Sequence, residues 1–90
     1  MINVYLKIVG NVQGVGMRYF IREIAFKHQL NGYVKNLADG SVECIVEGKE
    51  NHVKDFITSL EKRSPGRITN LVKHESSNLE GYSSFEVRYY

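Results

Sequence analysis

Between an apolar alternating run and a helix-like one, the chain carries Val9-Gly10-Asn11-Val12-Gln13-Gly14-Val15-Gly16-Met17-Arg18-Tyr19-Phe20, three glycines and an arginine in close succession. Glycine lets backbone N–H groups turn inward with no Cβ in the way. At a helix N-terminus the unpaired amides and the dipole then favour an anion. Arg18 adds a planar fork that matches two phosphate oxygens. The chemistry this spacing suits is the holding of a small phosphate group, with no base, nucleophile or metal cluster close by in the sequence. Two other phosphate patterns fail on their residues. A dinucleotide fingerprint needs a third glycine where Tyr19 stands, and a second mononucleotide half for which 90 residues leave no length. A nucleoside triphosphate loop ends in Gly-Lys-Ser/Thr, which is absent. A glycine-rich turn with no ligand stays open on spacing alone.

The elements around the loop decide what meets it. Asn3 to Val9 alternates, with Val4, Leu6 and Ile8 on one face, and predicts a first strand. Met17, Phe20, Ile21, Ile24 and Ala25 fall on one arc and predict a helix over 17–29, stopping near Asn31 and Gly32. Tyr19, Phe26 and Leu30 lie off that arc, and the pattern names no cover for them. Tyr33 to Leu37 reads as strand two, Asp39-Gly40 as a turn, and Ser41 to Glu47 as strand three. Val53, Phe56, Ile57 and Leu60 stripe a second helix. After the Arg63-Ser64-Pro65-Gly66-Arg67 loop come strands over Ile68 to Glu75 and Ser84 to Tyr89.

This order predicts an α+β ferredoxin-like βαββαβ sandwich with an added C-terminal strand, its two helices on one face of an antiparallel sheet. In that topology strand three lies between strands one and two, which run the same way. The glycine loop and the end of strand two, at Asn36, therefore share one sheet edge. The second helix returns the chain there too, bringing Arg63 and Arg67, whose charge would steer anionic ligands.

Residues 1–90 are expected to form a single domain, since 90 residues with 42% hydrophobic content leave room for one core. A net charge of +2 is too balanced to indicate nucleic acid. RNA-recognition domains share this element order and stack bases on aromatics of strands one and three, but Ser41 to Glu47 has no aromatic and carries two acids. No run approaches the length of a membrane span, and the start lacks the pattern of a leader. Cys44, the single cysteine, sits in an alternating run and reads as a buried thiol in a reducing compartment. The expectation is a cytoplasmic monomer with no membrane or nucleic-acid partner.

The residues also resemble a known family. A Gly-x-Val-Gln-Gly-Val-Gly-Phe-Arg run typical of acylphosphatases is met by Gly10 to Arg18. Its second motif, Gly-Trp-Val-Arg-Asn followed by Asp-Gly-x-Val-Glu, is met by Gly32 to Asn36 and by Asp39 to Glu43. Phe85-Glu86-Val87-Arg88-Tyr89 is similar to the family's last strand. Met17, Tyr33 and Lys35 stand where the family has Phe, Trp and Arg, outside the two catalytic positions. The resemblance implies hydrolysis of the carboxyl-phosphate bond of acyl phosphates, with no metal or cofactor. It implies a phosphate-binding loop of Gln13, Gly14, Val15, Gly16, Met17 and Arg18, in which inorganic phosphate or sulfate would also sit. Arg18 would hold the phosphoryl oxygens and Asn36 would position the attacking water. The family points to the substrate phosphate itself as acceptor of the water's proton.

Other polar residues have plainer readings. His28, His52 and His74 fall nearer the opposite sheet edge and read as surface side chains. Asp39 is first a turn residue. Glu43 and Glu47 flank Ile45 on one face of strand three and read as solvated.

Overall fold

The protein is described by a computed structural model covering residues 1–89. Its elements are β1 (Ile2–Asn11), α1 (Met17–Lys27), β2 (Asn31–Asn36), β3 (Val42–Gly48), α2 (Glu50–Arg63), β4 (Arg67–Ser76) and β5 (Phe85–Arg88). One five-stranded sheet has the order β4-β1-β3-β2-β5. β3 pairs antiparallel with both β1 and β2, so these two run the same way, as the split βαβ pattern requires. The added strand departs from the expected antiparallel sheet. β5 pairs parallel with β2, and the sheet is mixed. After β4 the chain must cross the sheet to reach the β2 edge, and it arrives there running with β2.

Alternation in the strands sorts the two faces. Val4, Leu6 and Ile8 of β1 lie opposite Val46, Cys44 and Val42 of β3, and all six are buried. Val34 of β2 joins them beside Cys44. The helices cover this face with Met17, Ile21, Ile24 and Ala25 of α1 and Val53, Phe56 and Leu60 of α2. Each large side chain so buried contributes about 1.5–3 kcal/mol relative to exposure. Burial of a stripe, more than intrinsic propensity, therefore holds each helix. Burial also pushes the Cys44 thiol far up, so it stays protonated and behaves as an apolar filler.

Two expectations need correction. α1 ends at Lys27, and the chain reverses through Gln29, whose φ of 59° is left-handed, while Leu30 N donates to Ala25 O at 2.9 Å. Gly32 is therefore no helix stop. It lies inside β2, where an added Cβ would come 1.9 Å from Ile45 O, so β2 and β3 pair only because glycine stands there.

The second correction concerns the acids of β3. Glu47 is only 4% exposed. Its carboxylate accepts from Asn3 Nδ2 (2.8 Å) and from the backbone N–H groups of Glu80 (2.5 Å), Gly81 (3.1 Å) and Tyr82 (3.4 Å). It thus pins the segment that leads into β5. Glu43, half-buried, accepts from Tyr33 OH at 2.7 Å and Tyr5 OH at 3.3 Å and lies 3.7 Å from Lys35 Nζ. Period two assigned these acids to the helix-free face correctly, but a loop and two tyrosines cover them.

Burial pushes the Glu47 pKa up, but the Asn3 and backbone hydrogen bonds outweigh it and leave the pKa below the ordinary 4.5. The carboxylate therefore stabilises the fold fully above about pH 4.5, and that contribution is lost as pH falls through the lowered folded value. Glu47→Gln is expected to cost about 1–3 kcal/mol at pH 7 and to flatten the acid side of the stability curve. Urea denaturation of both proteins at pH 7 and below pH 4.5 checks this. Parallel stability–pH curves would contradict it.

Candidate active site

The β1–α1 loop is shaped by its glycines. Gly14 (φ 74°) and Gly16 (φ 82°) are both left-handed, and a Cβ at either would meet nothing within 4 Å. Conformation, not space, demands glycine here, since a side chain in this region costs roughly 1–2 kcal/mol. Gly16 is the N-cap of α1. It offers no side chain to the first amides, and the first turn holds no acidic residue. The amide dipoles at this end therefore meet no negative charge from the cap or the first turn of α1.

Val12 and Met17, at the two ends of the loop, turn their side chains into the core and are buried. Met17 can serve an anion only through its backbone. Gln13 is committed elsewhere as well: its Nε2 donates to Leu37 O at 2.7 Å and Ser41 O at 2.8 Å. Those carbonyls belong to the β2–β3 connection, directly after Asn36. The Gln13 side chain thus ties the glycine loop to the end of β2, and the distance between them is fixed by two hydrogen bonds.

That connection is itself stiff. Leu37 N donates to Ser41 O at 2.9 Å, and Asp39 Oδ1 accepts from Ser41 N at 2.9 Å and Ser41 Oγ at 2.5 Å. Lys7 Nζ lies 3.0 Å from Asp39 Oδ2. The Ser41 hydrogen bonds, with Lys7 adding to them, hold the Asp39 carboxyl well below the usual carboxylate range. Asp39 is a turn residue, as its position next to Gly40 indicates.

Arg18, Asn36, Gly14 and Gly16 line one cavity of about 100 Å³, with Val12, Met17 and Tyr19. Asn36 Oδ1 is buried with no hydrogen-bond partner among the described residues. A buried acceptor left unpaired costs about 1–3 kcal/mol, and no hydrogen bond among the described residues offsets that cost here. The Arg63–Arg67 loop reaches the same edge: Arg67 pairs with Asn11, and a Cβ on Gly66 would lie 2.3 Å from Asn11 O and 2.9 Å from Val15 Cγ2. Arg63 and Arg67 themselves are exposed, and neither lines the cavity.

Sequence reasoning left Tyr19 without a partner. Its hydroxyl lies 2.9 Å from that of Tyr89, and the Tyr89 ring lies 4.7 Å from the Arg18 guanidinium. Only the sheet order, which sets β5 beside β2 and under α1, brings these residues together. A larger groove of about 950 Å³, between the second half of α1 and the start of β5, collects none of the predicted site residues. Among the described residues no three His, Cys, Asp or Glu side chains group as a metal site, and no helix is long and apolar enough to cross a membrane.

A ferredoxin-like α+β domain, with a glycine loop and a strand end closing on one small cavity, is the class that fold and geometry define. The acylphosphatase family model matches residues 4–87. An acylphosphatase of Bacillus licheniformis is 39% identical over 90 residues, covering 99% of this chain and 100% of the relative. The crystal structure of acylphosphatase from Bacillus subtilis is 40% identical with a TM-score of 0.95, covering 99% of this chain and 100% of that one. An acylphosphatase structure from Coxiella burnetii gives 33% identity and a TM-score of 0.88, with 96% and 90% of the two chains covered. The chain belongs to the acylphosphatase family and is an enzyme of that family, acting on acyl phosphates.

Proposed function

We propose that the cavity holds the phosphoryl group of an acyl phosphate, with Arg18 and the loop amides from Val15 to Arg18 on its oxygens and Asn36 orienting the attacking water. The observation that carries this reading is that Asn36, whose Oδ1 has no hydrogen-bond partner among the described residues, lines the same cavity as Arg18. A turn of the Asn36 amide brings its oxygen to the cavity, and a water donating to it keeps a lone pair free to attack phosphorus. Water oxygen bonds to phosphorus, the bond from phosphorus to the carboxyl oxygen breaks, and the electron pair leaves with the carboxylate. The water's proton passes to a phosphate oxygen.

A carboxylate is a good leaving group and phosphoryl transfer has a loose transition state, so positioning and charge stabilisation suffice without a protein base. Arg18 supplies charge where it develops, and the Gln13 tether keeps the two halves of the site in register. No metal ion has a role in this scheme. Hydrolysis in ¹⁸O-water tests where the water attacks. The label is expected in inorganic phosphate. Label in the carboxylate would mean attack at the acyl carbon, for which Asn36 and Arg18 are wrongly assigned.

A further inference from the structure

The cavity of about 100 Å³ takes a phosphoryl group and little more, whereas sites that enclose a whole small organic molecule run to about 300–1,000 Å³. The acyl part of the substrate must therefore lie outside it. Of the side chains lining the cavity, Val12 and Met17 are buried, Arg18 and Asn36 belong to partly buried residues, and Tyr19 alone is exposed, at 55%. An acyl group leaving the cavity passes this ring.

Tyr19 is also held in place. Its hydroxyl is hydrogen-bonded to that of Tyr89, itself 66% exposed, and the Tyr89 ring packs against the Arg18 guanidinium. Two large aromatic side chains are thus left open to solvent yet fixed from both ends beside the proposed phosphoryl-binding arginine. A preorganised ring stacks on a ligand with little further loss of conformational freedom.

We propose that Tyr19, steadied by Tyr89, is the acyl-group subsite and selects substrates whose acyl group is a planar aromatic ring over those with a small alkyl one. This rests on the assignment of the cavity to the phosphoryl group. Stacking of two aromatic rings corresponds to roughly a 3- to 10-fold effect on binding. Alkyl groups as small as methyl cannot reach that overlap.

The test compares kcat/KM for benzoyl phosphate and acetyl phosphate in the parent, Tyr19→Ala and Tyr19→Phe. Any effect common to both substrates, through Arg18 or through the fold, cancels in the benzoyl-to-acetyl ratio. Tyr19→Ala is expected to lower that ratio about 3- to 10-fold, mainly through KM for benzoyl phosphate. Tyr19→Phe keeps the ring, loses the hydroxyl link and is expected to retain most of the ratio. An unchanged or higher ratio in Tyr19→Ala would overturn the proposal, and so would a Phe variant as impaired as the Ala variant. Arg18→Gln run beside them separates the two assignments: parent-like turnover of both substrates in that variant would overturn the phosphoryl site itself, whatever the Tyr19 ratio shows.

Discussion

Arg18→Gln is expected to lower kcat/KM for acyl phosphates by about 10²–10³-fold, the range for losing one preorganised donor to developing charge, with the charged fork favouring the upper end. The protein should remain folded. Arg18 is half-buried and supplies no core surface, because the neighbouring Met17 fills the space beneath the loop. What the fold loses is the contact with the Tyr89 ring, worth about 0.5–1 kcal/mol at an exposed site. Glutamine keeps length and hydrogen-bonding capacity, so the loss of rate reports on charge and on the two-pronged geometry. Circular dichroism and steady-state kinetics on the same preparation check the pair of outcomes. A folded variant with parent-like kcat/KM would remove Arg18 from the site.

Asn36→Ala acts on the other half of the reaction. Its Oδ1 has no hydrogen-bond partner among the described residues, so truncation breaks no bond to Oδ1 that the fold depends on. The variant is expected to be no less stable than the parent, and removing an unpaired buried acceptor favours a gain. Its kcat should fall by about 10²-fold, as for a nucleophile no longer held on its line of attack. KM should change little, since the phosphoryl group keeps its contacts with Arg18 and the loop amides. Loss of stability together with kcat would recast Asn36 as a structural residue at the end of β2.

Much of this was legible before any coordinates. Alternation in β1 and β3 and the stripe in α2 reflect burial against one core, and that burial is what sets strand and helix periods. Gly14, Gly16 and Arg18 are local in sequence, so the chemistry proposed for them could be read directly from their spacing. Asn36 needed one further inference, the direction of β2 in a split βαβ unit, and the topology supports it. What escaped has a common cause. A period of two places Glu47 on the helix-free face but carries no information about the Glu80–Tyr82 segment that closes over it. The parallel pairing of β5 and the contact of Tyr19 with Tyr89 join residues far apart in the chain, and no local pattern encodes them. Gly32 misled for the opposite reason. A glycine after a helical stripe has two uses, and here close approach to Ile45 decided between them.

Binding of inorganic phosphate, titrated calorimetrically against the parent, Arg18→Gln and Asn36→Ala under one buffer condition, separates holding the anion from using the water. The site described here predicts that Asn36→Ala binds phosphate as the parent does, while Arg18→Gln binds it roughly 10- to 100-fold more weakly, as befits a lost charge-assisted hydrogen-bond pair. Phosphate affinity lost equally in both variants, or kept in Arg18→Gln, would contradict the division of labour between Arg18 and Asn36.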